Sequence, residues 1–160
     1  MKVKTLPALF LLLTASVALA SEPTAATTFE KMKQYAGKWE VNWAGKPMQT
    51  SIDVISDGSA IMQNDAQENM VTMFHLDGPR LMLTHYCAAK NQPRLVGTAR
   101  PDGSIEFKFL DVTNLTDPKA GHMNRMILTF KDADHFAEEW FFIKDGKEEK
   151  GEPFLYKRKK

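Results

Sequence analysis

His85 and Cys87 stand two residues apart in a run of strand-forming residues. Successive strand side chains alternate between faces, so the imidazole and the chain's one thiol share a face, their Cβ atoms roughly 7 Å apart. Leaning together, they could form an activated thiolate or half of a metal site. Either chemistry needs further groups, one to orient the histidine or two more ligands. Asn91, Arg94 and His122 are the candidates. The same pair also reads as a small buried cysteine beside a hydrogen-bonded histidine, because Leu81 and Leu83 lie on their face. Tyr86 adds a phenol to this polar stretch.

Asn91, Gln92 and Arg94 follow in and after the next loop, where an arginine beside two amides could grip a carboxylate bidentately. Simple alternation puts Leu95, Gly97 and Ala99 inside and Arg94 outside. Arg125, between Asn124 and Met126, has the same two readings. His122 follows Gly121 at a strand start, which suggests a rim position, and His135 sits in a polar turn. The aspartates lack the spacing of a calcium loop, and no metal site is expected. Met62, Met70, Met73, Met82, Met123 and Met126 fall in strands, where flexible thioethers suit an adaptable apolar cavity or ordinary core filling. Phosphate-binding loops, dinucleotide turns, nucleophile elbows, Cys-x-x-Cys and zinc-protease motifs are missing from the sequence.

The elements that must carry these residues read as β. Asp57-Gly58, Asp77-Gly78, Asp102-Gly103 and Asp145-Gly146 are four hairpin signals between apolar runs. They divide the chain into about ten strands: 38–43, 48–55, 60–64, 70–76, 80–87, 94–100, 104–112, 123–131, 135–144 and 153–158. No helix separates them, which excludes a parallel α/β sheet. The expected fold is all-β, an antiparallel up-and-down meander closed into a barrel that hides its edges. One short helix precedes it, with Thr27 and Glu30 as a capping box, Phe29, Met32 and Tyr35 as its apolar stripe and Gly37 as its stop. Trp39, Val41 and Trp43 share one strand face, as do Ile105, Phe107 and Phe109. Runs such as 71–74 and 140–143 are apolar on both faces, so the helix or a second copy of the chain could cover them, and a homodimer is one expectation.

Residues 1–20 read as a signal peptide, with Lys2 and Lys4, an apolar run over 6–13, and cleavage after Ala18-Leu19-Ala20. The segment is too short for a membrane anchor, and no cysteine follows for lipid attachment. Residues 21–26 read as a flexible leader and 27–160 as one domain. Losing Lys2 and Lys4 from 21 basic residues, against 20 acidic ones, leaves a net charge of −1. That balance argues against nucleic-acid binding, and the basic run at 157–160 reads as a solvated end. A single cysteine excludes an intrachain disulfide. The product is expected in the periplasm or outside the cell.

Gly37-Lys38-Trp39, after a short helix and opening the first strand, resembles the calycin superfamily. The segments Phe74-His75-Leu76-Asp77-Gly78-Pro79-Arg80-Leu81, Leu83-Thr84-His85-Tyr86-Cys87 and Asn91-Gln92-Pro93-Arg94 resemble small exported bacterial proteins with a lipocalin-like domain, mostly of unassigned function. The resemblance implies a barrel closed at its bottom by Trp39, with an internal cavity and no established reaction. Gly37-x-Trp39 followed by Pro47 is also similar to the opening motif of the nitrobindins, although their second glycine falls on Val41 here. Nitrobindins hold haem through a histidine on the last strands. Residues 147–160 contain none, so haem would fall to His135 or His122.

The sequence therefore leads with a binding module: an exported barrel holding a small apolar or amphipathic molecule, with His85, Tyr86, Cys87, Asn91, Arg94 and Arg125 at its polar end. No cofactor is required. A haem-binding or His/Cys-dependent enzyme is the alternative, and a filled barrel serving as a structural or interaction domain is the second. The binding reading stands ahead of the enzymatic one.

Overall fold

The computed structural model describes residues 22–65, 67–117 and 119–160, so the signal-peptide reading lies outside the described residues. Helix α1 (Ala25–Lys33) leads into strands β1 (Gly37–Trp43), β2 (Lys46–Ile55), β3 (Ala60–Asp65), β4 (Met70–Asp77) and β5 (Arg80–Tyr86). Next come β6 (Gln92–Ala99), β7 (Ile105–Thr113), β8 (His122–Asp132), β9 (His135–Lys144), β10 (Lys147–Lys150) and β11 (Phe154–Arg158). Each strand from β1 to β9 pairs antiparallel with the next, and β11 pairs with both β1 and β9, which closes the ring. The β10 and β11 segments lie end to end along one edge of β9, Lys150 opposite Phe141 and Phe154 opposite Glu138. Together they form the tenth stave, with one extra residue bulged at 151–153. The expected all-β meander barrel of about ten strands is the fold. Sequence reading missed only β10, whose Lys-Glu-Glu-Lys carries no apolar alternation.

The helix begins earlier than expected. Thr24 is the N-cap, accepting from the Thr27 backbone N–H, while the Thr27 hydroxyl oxygen accepts from the Thr24 N–H. Glu30 does not close a box and pairs with Lys33 at 2.7 Å instead. Two threonines three apart satisfy the same orphan amides that Thr27 and Glu30 would have. Phe29, Met32 and Tyr35 sink into the barrel end. Among the described residues, no helix is long and apolar enough to cross a membrane.

The up-and-down topology gives the barrel two unlike ends. The β2–β3, β4–β5, β6–β7 and β8–β9 turns share the end that α1 covers, with Lys31 reaching Gly103 O. The β1–β2, β3–β4, β5–β6, β7–β8 and β9–β10 turns ring the opposite, open end. Ala44-Gly45 and Asp145-Gly146 at that end make two-residue turns with φ positive at both positions, matching the strand twist.

Trp39 lies at the helix-covered end, 0% exposed. Its indole N–H donates to Tyr35 O, Phe136 meets it edge-on at 4.7 Å, and the Arg158 guanidinium lies 4.3 Å over its ring. Gly37 runs at φ +136, and a Cβ there would stand 3.0 Å from Arg158 Nη1. The Gly-x-Trp spacing thus makes room for one guanidinium, which also donates to Ala36 O and Gln34 O at the helix end. Arg158 is therefore a structural residue and not part of a solvated tail.

One seam is short. The β7–β8 pairing runs only from Ile105↔Leu128 to Lys108↔Arg125. The β6–β7 register breaks just beyond, with Leu95 opposite Phe109 and Arg94 opposite Asp111, so Leu110 bulges. Ile105 and Phe107 are core as expected, but Phe109 is 38% exposed and stacks on His122 at 4.5 Å.

Candidate functional site

The inward faces of β3, β9 and β11 bring Gln63, Glu138, Trp140 and Tyr156 together in mid-lumen. Glu138 is 2% exposed. Its Oε2 accepts from Trp140 Nε1 at 3.0 Å, Tyr156 OH at 3.0 Å and Gln63 Nε2 at 3.4 Å. Burial pushes its carboxyl up to about 7, and the nearby Asp65 adds to the rise. The Asp65 carboxyl is itself raised by burial, and Tyr156 is pushed well above its usual range by burial and by Glu138.

Two small cavities flank Glu138. The one toward the helix, about 20 Å³, is lined by apolar side chains such as Met32, Ile52, Ile61 and Phe136, with Gln63 at its upper edge. The one toward the open end is about 30 Å³, space for about two waters. Its walls hold three thioethers, Met48, Met70 and Met123, the rings of Trp140, Phe154 and Tyr156, and the carboxylates Asp65, Glu68 and Glu138. Neither void has the 300–1,000 Å³ typical of a small-molecule pocket.

His85 lines the same open-end cavity and is 3% exposed. Its Nδ1 shares a 2.9 Å hydrogen bond with the Thr72 hydroxyl, and its ring lies 4.8 Å from that of Trp140. Its Nε2 is buried with no partner among the described residues. Desolvation lowers its pKa to about 4, so the imidazole is neutral at physiological pH.

The expected site residues divide. His85 faces the lumen. Cys87 sits at the rim, half-buried, in a turn where its N–H donates to Asn91 O. Neither imidazole nitrogen of His85 hydrogen-bonds to it, so the geometry does not assemble the His–Cys pair. Tyr86 points outward, 51% exposed. Asn91 is buried, but as a latch whose Nδ2 donates to Gly121 O and ties the β5–β6 loop to the β7–β8 loop. Arg94 lies on the outer wall, bound through both ends of its fork to Asp111. Arg125 is also outside, 3.5 Å over the Phe141 ring and bound to Glu148, with Glu106 nearby. That layer covers the outer apolar face of β9. Neither arginine can hold a carboxylate in the lumen, because a strand residue of outward parity cannot turn in.

His122 stacks on Phe109 beside the short seam, and His135 bonds to Asp132 at the helix-covered end. Among the described residues, no three His, Cys, Asp or Glu side chains group as metal ligands. Sequence reading missed Glu138, Asp65 and Met48. For Glu138 a signal existed, since Phe136, Glu138 and Trp140 alternate on one face, but the adjacent Glu139 made the pair look like surface. No protein-family model matches the chain, and no curated protein matches it.

Proposed function

We propose that this is an exported binding barrel that takes a small amphipathic molecule, polar head first, through its open end. The observation that carries the reading is the orphan His85 Nε2 on the wall of the open-end cavity, beside the buried carboxyl of Glu138. A buried polar atom without a partner costs stability, and a ligand that supplies the partner repays it. The cavity as it stands has room for only about two waters, so the ligand's apolar part must displace Met48, Met70 and Met123. Unbranched thioethers make such a wall easy to repack. The packed half below Glu138 stops the ligand there. The basic, apolar and small-residue order of residues 1–20 supports export.

Native mass spectrometry of the protein recovered from the cell envelope of its producing cells tests this. A small-molecule adduct that dissociates on activation is expected. Methyl NMR with labelled methionine should then show that stripping the adduct moves Met48, Met70 and Met123 but not the core methyls of Met32 and Met126. A bare chain whose mouth methyls ignore added extract overturns the reading. The smallness of both voids favours a second reading, a filled barrel acting as an interaction domain, and that result would establish it.

A further inference from the structure

Resting on that binding reading, we infer that the head group this barrel takes is a protonated amine. The first argument is charge. Three carboxyl groups line the open-end cavity, and among the described residues no lysine or arginine does. Arg94 and Arg125, which could have reversed that balance, are outside and engaged with carboxylates of their own.

The second argument counts donors and acceptors. A carboxylate head needs donors, and the indole of Trp140, the phenol of Tyr156 and the amide of Gln63 all donate to Glu138 Oε2. Glu138 Oε1 receives no donor among the described residues. His85 offers a second acceptor when its proton sits on Nδ1 and donates to the Thr72 hydroxyl, leaving the Nε2 lone pair free. An ammonium group is donor-only, with three N–H bonds to place. Glu138 Oε1, His85 Nε2 and the Asp65 carboxylate are a matching acceptor set, contributed by residues that line one cavity from β9, β5 and β3. The rings of Trp140, Tyr156 and Phe154 add cation–π partners, strengthened by exclusion of water.

The third argument is size. Room for about two waters accepts an ammonium head without repacking, while the alkyl part lies among the thioethers at the mouth. The polar and aromatic groups around the head come from five places: Gln63 and Asp65 from β3, Glu68 from the β3–β4 loop, His85 from β5, Glu138 and Trp140 from β9, and Phe154 and Tyr156 from β11. Glu138 must be ionised to hold the amine, and with its carboxyl pushed to about 7 it is mostly protonated at pH 5.5 and mostly ionised at pH 8. Binding therefore strengthens as pH rises through neutrality, while a hexyl amine stays protonated throughout.

Isothermal titration of the exported chain with n-hexylamine, n-hexanol and n-hexanoate at pH 5.5 and pH 8 tests this. At pH 8 the amine should bind about tenfold or more tightly than the alcohol, and hexanoate should give no heat. The amine's affinity should fall about tenfold at pH 5.5. Glu138→Gln should bring the amine down to the alcohol's affinity, and Asp65→Asn, nearer the rim, should cost severalfold. Arg94→Gln, on the outer wall, should change nothing. Hexanoate or hexanol binding as tightly as the amine, or amine affinity equal at both pH values, overturns the inference while leaving the barrel a binding protein. Silence from all three probes overturns the binding reading and the inference together.

Discussion

Below Glu138 the rings of Tyr35, Trp39, Phe130 and Phe136 pack at centroid distances of 4.4 to 6.0 Å, and the polar atoms among them are paired: Trp39 Nε1 with Tyr35 O, Tyr35 OH with Asp132 O. Above Glu138 the lumen is lined by thioethers, carboxyl groups and an imidazole whose Nε2 has no partner among the described residues. The two halves share the same staves, so topology does not make the difference. It lies in which residues occupy the inward positions toward each end. The helix-covered half pairs the polar atoms among its rings, and the open half leaves His85 Nε2 without a partner among the described residues. On the proposed reading, stability and recognition are separated along a single barrel axis.

The largest test of that division is Trp39→Ala against Met70→Ala. Removing the buried indole should cost about 3–5 kcal/mol in urea melts. Removing the partly exposed thioether should cost about 1 kcal/mol or less. Equal losses would mean the two halves do not differ as described.

The next test uses pH. Glu138 has a folded pKa raised from 4.5 to about 7, so its contribution is full below 4.5 and lost as pH rises through 7. His85 has a folded pKa lowered from 6.5 to about 4, so its contribution is full above 6.5 and lost as pH falls through 4. Between pH 4.5 and 6.5 the two slopes oppose each other. Relative to the parent, Glu138→Gln should gain stability with rising pH by about 1.4 kcal/mol per unit, and His85→Gln should lose it at a similar rate. Melts at pH 4.5, 5.5 and 6.5 read both signs, and parallel curves for all three proteins would remove the opposed titrations.

A smaller effect concerns Cys87. Its rim position should slow native labelling by a thiol reagent about tenfold relative to the unfolded chain. His85→Gln should leave the native rate unchanged, since no hydrogen bond joins the pair. A severalfold change would restore the activated-thiolate reading. The smallest effect is expected from Arg94→Gln, which removes an exposed outer-wall pair with Asp111 and should leave the urea midpoint within error.

The fold was legible because its signals are local. Asp-Gly pairs and period-two alternation mark strands without reference to anything distant. What escaped depends on residues far apart in sequence. The exposure of Phe109 follows from a ladder that stops at Lys108↔Arg125 and a bulge at Leu110, both set by the pairing of β7 with Arg94, Leu95 and Arg125, 14 to 16 residues away in sequence. Arg158 reads as part of a basic tail until the ring closes and sets it over Trp39. The site was half legible. His85 was placed by the alternation of Leu81 and Leu83, whereas Asp65 and Glu138 meet only because Gln63 and Tyr156 bring β3 and β11 to either side of the lumen. Charged residues carry no inward signal of their own, so parity with Phe136 and Trp140 was the one clue.

Arg158 and Ala36 are joined by a hydrogen bond across 122 residues of chain, and β11 is the strand that pairs with β1. The order of synthesis then sets the order of folding. A nascent chain can form each hairpin in turn, yet it keeps two unpaired edges until β11 is available to pair with β1 and β9. Completion is a late, long-range event, and the incomplete ring is the species exposed to aggregation or to a chaperone. Cutting the chain before Phe154 would therefore not shorten the barrel by one stave but leave an open, curling sheet, with the guanidinium that seals the Gly37-x-Trp39 corner missing from it.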